Sequence, residues 1–339
     1  MEKIRWGVLG VANIAVKKVI PAMQRGAWSE IAGIASRDSA RAKSAATALG
    51  IPSAYGSYDE LLDDPSIEAV YIPLPNHLHV PWTIRAAERG KHVLCEKPIA
   101  LTAKDSEALL EARDRYGVKI QEAFMIRTHP QWVSAVQLAR DGALGRVQSI
   151  VAHFSYHNVD PANVRNMAEI GGGGLLDIGC YLVHAARWIL GREPRRVSSL
   201  IDTDTTLGVD RLASMLMDFG DAQVIGTCGT QLVPSQRVHI LGEKARLEIE
   251  IPFNAPPDRP CRIFVDDGSS PSGANRRVIE FPACDQYTLQ GDAFSQAIRR
   301  GNDQPLALTD SIANLRVLDA IVRSASSSSW ESPSASGTR

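Results

Sequence analysis

Gly10-Val11-Ala12-Asn13-Ile14-Ala15 lies between a short apolar run and a stretch of helical character. A turn that cradles a dinucleotide has glycine at the first, third and sixth of these positions. Here the first is glycine and alanines hold the other two. Gly10 permits a tight turn, Ala12 is small enough for backbone to approach a pyrophosphate, and Ala15 allows a helix to pack closely on a sheet. The free amides of the helix start, at Asn13 and Ile14, would then meet the anion. A tight strand-to-helix turn with no ligand is the alternative.

Ser36-Arg37-Asp38 closes the second apolar run. An acid there would bond the ribose 2′-hydroxyl of NAD and repel a 2′-phosphate, whereas Ser36 and Arg37 offer a donor and a planar cation, which favours NADP. Asp38 could take the acid's role a position or two late, so NAD stays possible. Cys95-Glu96-Lys97-Pro98 follows another apolar run. A partly buried ammonium at a strand end shifts its pKa readily and can orient a substrate hydroxyl. Taken alone, a Lys-Pro reads more simply as a surface lysine in a loop. Four glycines, Gly171 to Gly174, precede Asp177, Tyr181 and His184. On a helix Asp177 and Tyr181 share a face and His184 follows at the next turn. A carboxylate, a phenol and an imidazole stacked this way could form an acid–base row. The blander set is a helix cap, a core aromatic and a satisfied histidine.

The elements that must position these residues fall into two patterns. Strand-like runs at 4–10, 31–35, 68–74, 92–95 and 118–123 alternate with helical stretches ending near 25 and at 39–49, 79–89 and 102–116. That alternation predicts βαβ units and a parallel sheet with its chemistry at the carboxyl ends of the strands. From 147 onward strand-like runs dominate, at 147–156, 196–201, 212–219, 223–230, 236–241, 245–250 and 261–265. Helices are confined to 130–141, 177–189, 288–299 and 308–324. This predicts an α+β region with a largely antiparallel sheet. Five prolines between 252 and 277 predict a surface excursion. The expected division is a Rossmann domain at 1–123, a substrate and oligomerisation domain at 124–325 and a disordered serine-rich tail at 326–339.

Composition narrows the function classes. A chain of 339 residues suits about two domains. With 37 basic and 38 acidic residues, no global field exists to hold nucleic acid or an anionic membrane. Five dispersed cysteines without a C-x-x-C pair indicate neither a zinc site nor a disulfide framework, and fit a reducing compartment such as the cytoplasm. No run approaches the ~18 apolar residues of a membrane span. Lys3, Arg5 and the apolar stretch after them could open a signal peptide, but Lys17 and Lys18 follow at once and no small-residue cleavage site is clear.

Taken in order, the motifs resemble one family. They are G-V-L-G-V-A-N-I-A at 7–15, S-R-D at 36–38, P-N-H-L-H at 75–79, E-K-P at 96–98, E-A-F-M-I-R-T-H-P-Q at 122–131, N-V-R at 163–165 and G-G-G-L-L-D-I-G-C-Y at 172–181. Together they resemble the Gfo/Idh/MocA oxidoreductases over nearly the whole chain. The resemblance implies a Rossmann domain, a C-terminal mixed-sheet domain whose sheet often joins a dimer or tetramer, and hydride transfer between NAD(P) and a sugar or cyclitol. It puts the essential lysine on Lys97, beside Glu96, and the family's Asp-x-x-x-His/Tyr pair on Asp177 and Tyr181. Inositol-type members carry histidine in the second position. Tyrosine resembles the branch of glucose–fructose oxidoreductase, NADP-dependent D-xylose dehydrogenase and dimeric dihydrodiol dehydrogenase.

The same resemblance sets Pro75, Asn76, His79 and Arg127 on the cofactor side, with His129 in the segment crossing to the second domain, and Tyr156, Asn163 and Arg165 on the sugar side. His184 falls off the family position and reads as structural. The expected chemistry is proton exchange at Tyr181, assisted by the Lys97 charge, with Asp177 holding a neighbouring hydroxyl and no metal. Two alternatives stay open. One is a cofactor-binding regulator of the same fold without turnover. The other is a different dehydrogenase or reductase, acting on an inositol, a trans-dihydrodiol or, less compatibly with Asp177 and Tyr181, an imine or biliverdin.

Overall fold

The computed structural model describes residues 2–270 and 272–334. It divides into two compact units: Met1–Thr128 with Asp285–Ile312, and His129–Cys284 with the chain from Ala313 on. The first unit holds strands β1 (Ile4–Leu9), β2 (Ser29–Ala35), β3 (Ser53–Tyr55), β4 (Ala69–Ile72), β5 (His92–Cys95) and β6 (Ile120–Glu122). They form one parallel sheet in the order β3-β2-β1-β4-β5-β6. The order reverses between β1 and β4, so the ligand crevice of such a sheet opens beyond the carboxyl end of β1. Helices α1 (Ile20–Gln24), α2 (Ser39–Leu49), α3 (Tyr58–Asp63), α4 (His79–Glu88) and α5 (Ala103–Tyr116) alternate with the strands.

Local signals set these elements. Asp38 caps α2 through the amides of Ala40 and Arg41, and Gly50 ends it in the left-handed region at φ 65°. Thr102 and Asp105 cap α5. The short β3 and α3 carry no apolar run of their own, because β3 is a half-exposed edge strand, and sequence pattern alone does not reveal them.

The second unit holds α6 (Pro130–Arg140), β7 (Val147–His157), α7 (Cys180–Leu190), β8 (Arg196–Thr203), β9 (Asp210–Asp218), β10 (Gln223–Gly229), β11 (Gln231–Gly242), β12 (Arg246–Ile249), β13 (Cys261–Asp266) and β14 (Arg277–Phe281). Its sheet runs β14-β13-β12-β11-β7-β10-β9-β8. Only the β7–β10 pairing is parallel. Phe154 of β7, Tyr181 of α7 and Phe253 pack as an aromatic cluster, with ring centroids 4.9–6.0 Å apart. Phe253 is 0% exposed, so the proline-rich stretch starts inside the core before it turns outward. No helix among the described residues is long and apolar enough to cross a membrane.

Two expectations are corrected. The second domain does not run unbroken from 124 to 325. Residues 124–128 and 285–312 belong to the first unit, where α8 (Gln286–Arg300) covers a face of the parallel sheet. Phe294 packs in that core, and the Trp6 indole donates to Ser295 at 3.0 Å. A parallel sheet must be covered on both faces, and the βα units alone do not finish the work. The serine-rich tail is also ordered through 334. Helix α9 (Leu308–Ser327) outlasts its expected end, and Glu331 pairs with Val197 on the edge strand β8, at 2.8 and 2.9 Å. Backbone groups of an edge strand recruit a partner whatever the partner's side chains are. Residues 335–339 of that stretch lie outside the described residues.

Candidate active site

In the first unit most of the predicted cofactor residues follow the carboxyl ends of β1, β2, β4 and β5. Gly10 has φ +118°, and a Cβ there would sit 3.1 Å from the Leu74 side chain. Only glycine suits that backbone. The Ala12 carbonyl accepts the Val16 amide at 3.0 Å. The amides of Asn13, Ile14 and Ala15 therefore precede the first intrahelical bond and face out of the helix end. That helix opens with a π-turn over Ala15–Val19 before α1.

Ser36 is buried at the end of β2, and its hydroxyl accepts the Asp38 amide at 3.2 Å. Asp38 is engaged at the α2 cap, where its Oδ1 accepts two amides at 2.9 and 3.1 Å. The acid that kept NAD open as an alternative therefore already has a structural task. Arg37 is exposed beside Tyr58, and burial pushes the Tyr58 pKa up against the pull of Arg37 and Arg41. Arg41 donates to the Val11 carbonyl in the glycine turn at 2.9 Å. Sequence reasoning missed Arg41 and Tyr58. The signal for Arg41 was a second cation in the first turn of the helix that follows Ser36-Arg37-Asp38.

Glu96 accepts the buried Tyr71 hydroxyl at 2.6 Å and the Lys97 amide at 3.3 Å. Lys97 itself is half-buried and precedes the cis Lys97–Pro98 peptide. Pro75 and Asn76 form the short turn after β4. His79 differs from expectation. It is 0% exposed, with Nδ1 2.6 Å from the Pro98 carbonyl and Nε2 2.7 Å from the Leu74 carbonyl. Burial pulls its pKa down to about 4. Its ring clamps two loops and has no face left for a cofactor. Arg127 donates to the Pro305 carbonyl at 3.1 and 3.3 Å, so its guanidinium anchors the segment after α8.

In the second unit Tyr156, Arg165 and Asp177 converge. The Tyr156 hydroxyl donates to Asp177 Oδ2 at 2.6 Å, and Arg165 Nε donates to the same oxygen at 3.0 Å. Burial, and then the Asp177 charge, hold the Tyr156 pKa far above the ordinary tyrosine range, so it stays a donor. Asn163 Oδ1 accepts the Arg165 amide at 3.1 Å and shapes the turn that presents Arg165. Tyr181 is 4% exposed against Phe154 and Phe253. His184 is 1% exposed and tilts against Trp188. His129 caps α6, its Nδ1 accepting the Gln131 amide at 3.3 Å.

Asp210 is the group no local pattern announced. From β9 it reaches the glycine run and accepts the Leu175 amide at 2.5 Å. Burial pushes its pKa up to about 6, the amides of Leu175 and Gly174 oppose this, and the Asp177 charge adds to it. A Cβ on Gly173, which has φ +116°, would lie 1.9 Å from Asp210 Oδ1. The glycines thus wrap a carboxylate, which satisfies amides at the start of the π-turn Leu175–Gly179 that leads into α7. π-Turns recur at functional sites because one extra residue re-aims the side chains that follow.

Comparison with known proteins bears on the family and the fold. Residues 4–124 match the family described as "Oxidoreductase family, NAD-binding Rossmann fold", and residues 132–248 match the "GFO/IDH/MocA C-terminal domain". An uncharacterised oxidoreductase of Rhizobium meliloti is 48% identical over 98% of this chain and 99% of its own length. The D-xylose 1-dehydrogenase (NADP(+)) 2 of Haloferax volcanii is 39% identical over 94% of this chain and 97% of its own. The crystal structure of a 3-ketoreductase from Actinomadura kijaniata, in complex with NADP and TDP-benzene, superposes with a TM-score of 0.88 at 29% identity, covering 95% of this chain and 98% of that one. A parallel sheet of Rossmann order, an antiparallel companion sheet and whole-length relatives lead to one statement: the chain belongs to the Gfo/Idh/MocA oxidoreductase family.

Proposed function

We propose that this protein interconverts a hydroxyl and a carbonyl on a sugar, an aldose such as a pentose or hexose, or on a related polyol, with NADP as the preferred partner. The observation that carries the reading is the convergence of Tyr156 and Arg165 on Asp177, at the start of the helix that bears Tyr181. The D-xylose dehydrogenase and the 3-ketoreductase named above support a sugar-type substrate.

The residues present fit a dinucleotide. Gly10 through Ile14 would hold the pyrophosphate, Ser36, Arg37 and Arg41 the 2′-phosphate, and Pro75, Asn76 and Lys97 the nicotinamide side. When bound, the nicotinamide supplies the hydride exchange. The chain's own groups manage the proton and the pose. Asp177, fixed by two donors, accepts a substrate hydroxyl beside the reacting carbon. Tyr156 keeps its proton and serves as a donor, which leaves Tyr181 as the group that exchanges the proton. A free phenol titrates near 10 and is a poor base at neutral pH. An ammonium beside a phenol favours the phenolate, and that task is assigned to Lys97.

The test is turnover, followed at the reduced-nicotinamide absorbance band, with NADP+ or NAD+ against aldoses, inositols and a trans-dihydrodiol. Activity with NADP+ and an aldose is expected. Lys97→Ala and Tyr181→Phe should each lower kcat by about 10²–10⁴-fold, with NADP binding, read by fluorescence quenching, retained. A fully active Lys97→Ala enzyme would defeat the assignment of the lysine. Tight NADP binding with no turnover on any substrate would favour a regulator of the same fold.

A further inference from the structure

Glu122 is a buried carboxyl that the reaction outlined above leaves without a task. It ends β6 directly opposite Cys95, the last residue of β5, and is 2% exposed. Its Oε1 accepts the Ile99 amide at 2.8 Å. Ile99 lies two residues beyond Lys97, across the Lys97–Pro98 peptide. The Pro98 carbonyl is held separately by His79. One carboxylate and one imidazole therefore tie down both sides of the turn that leaves Lys97. Glu122 Oε2 is buried, with Ser311 facing the carboxyl. The groups that face Glu122 are Lys97 from the turn, Asp310 and Ser311 from the start of α9, and Cys95 from β5. Lys97 is the cation among them. Burial pushes the Glu122 pKa up to about 7; Ser311, the Ile99 amide and Lys97 favour the charged form, and Asp310 opposes it. The Cys95 thiol is pushed well above its ordinary range by burial and stays neutral.

We propose that Glu122 is the positioning residue of Lys97: through the Ile99 amide it fixes the turn that carries the lysine, and its carboxylate is a buried counter-charge to the ammonium. This rests on the reading of Lys97 as catalytic. Protonation removes the counter-charge while Oε1 can still accept from Ile99. The two effects are thus separable, and a glutamine isolates them. Because the folded-state pKa lies above the ordinary carboxyl value of 4.5, the linked stability is full below that value and is lost as the pH rises through about 7.

Glu122→Gln keeps the amide contact and fixes the side chain neutral. It should fold and bind NADP, lose about ten- to hundredfold in kcat with KM little changed, and lack the rise in rate expected of the wild type across neutral pH. Its thermal midpoint should be flat over the window in which the wild type declines. Infrared titration of the buried carboxyl band gives a readout independent of turnover. The band should be absent in Glu122→Gln, and in Lys97→Ala its midpoint should move up by roughly one unit or more. A Glu122→Gln enzyme with the wild-type kcat and pH profile would sink the proposal, as would a carboxyl midpoint unmoved by Lys97→Ala. An active Lys97→Ala enzyme would instead sink the catalytic reading on which the proposal rests.

Discussion

Charge placement at single residues separates cofactor choice from scaffold. Asp38 sits where an acid could select NAD, yet both its bonds go to the α2 amides. Arg37 stays exposed beside Tyr58, and Arg41 is tied to the glycine turn through the Val11 carbonyl. A hydrogen bond to a charged group contributes about 1.5–3 kcal/mol, a factor of ten or more in affinity. Replacing Arg37 and Arg41 together by alanine should therefore raise KM for NADP by at least about tenfold and leave KM for NAD within about twofold. Steady-state kinetics with both cofactors would check this, and an equal loss with NAD would place the arginines elsewhere on the dinucleotide. At this scale the sequence was informative about residue type and silent about partners. Lys97, Asp177 and Tyr181 stood out by pattern, whereas the clamp made by His79 and the cap made by Asn163 depend on carbonyls and amides that no motif displays.

Among the elements, the helix that opens at Gly174 is the one whose construction matters most. Its glycine run is explained by a carboxylate from another strand: Asp210 occupies the space that a Cβ on Gly173 would need. Asp210→Ala would strand the Leu175 and Gly174 amides in a buried setting, at a cost of about 1–3 kcal/mol for an unpaired group. Gly173→Ala should be at least as harmful, because it adds positive-φ strain to the clash. Both variants should also lose activity beyond their stability loss, since Asp177 and Tyr181 ride on that helix. Chemical denaturation beside kcat at a permissive temperature separates the two effects. A Gly173→Ala protein of wild-type stability would contradict the close approach. Helix α2 and strand β5 were legible to the residue, because caps and apolar runs are local. Strand β3 and the exposed edge strand β14 were not, because edge strands carry no apolar alternation to read. Asp210 was invisible for the same physical reason in reverse: its partner lies 35 residues away.

For the whole molecule, two sheets imply two kinds of exposure. One face of the second sheet packs on Tyr181 and its aromatic neighbours. On the other, Val151, Ile225 and Leu200 are 37%, 49% and 78% exposed. Val151 and Ile225 lie directly opposite one another, with Leu216 next in the same cross-strand row. An apolar row of this kind suits self-association. The expected outcome is a dimer or tetramer by light scattering after size exclusion, reduced to monomer by Ile225→Asp with the fold retained. A wild type that runs as a monomer at micromolar concentration would refute it. The first sheet has a different dependence. Trp6, in its opening strand, bonds Ser295, 289 residues later, and that unit is not complete before Ile312. Chains are made at about 5–20 residues per second, so on the ribosome Trp6 waits roughly 15–60 s for its partner. Throughout that interval the nascent strands present an uncovered apolar face. The order of synthesis thus makes this a chain whose yield in the cell depends on what shields β1 while α8 is still being translated.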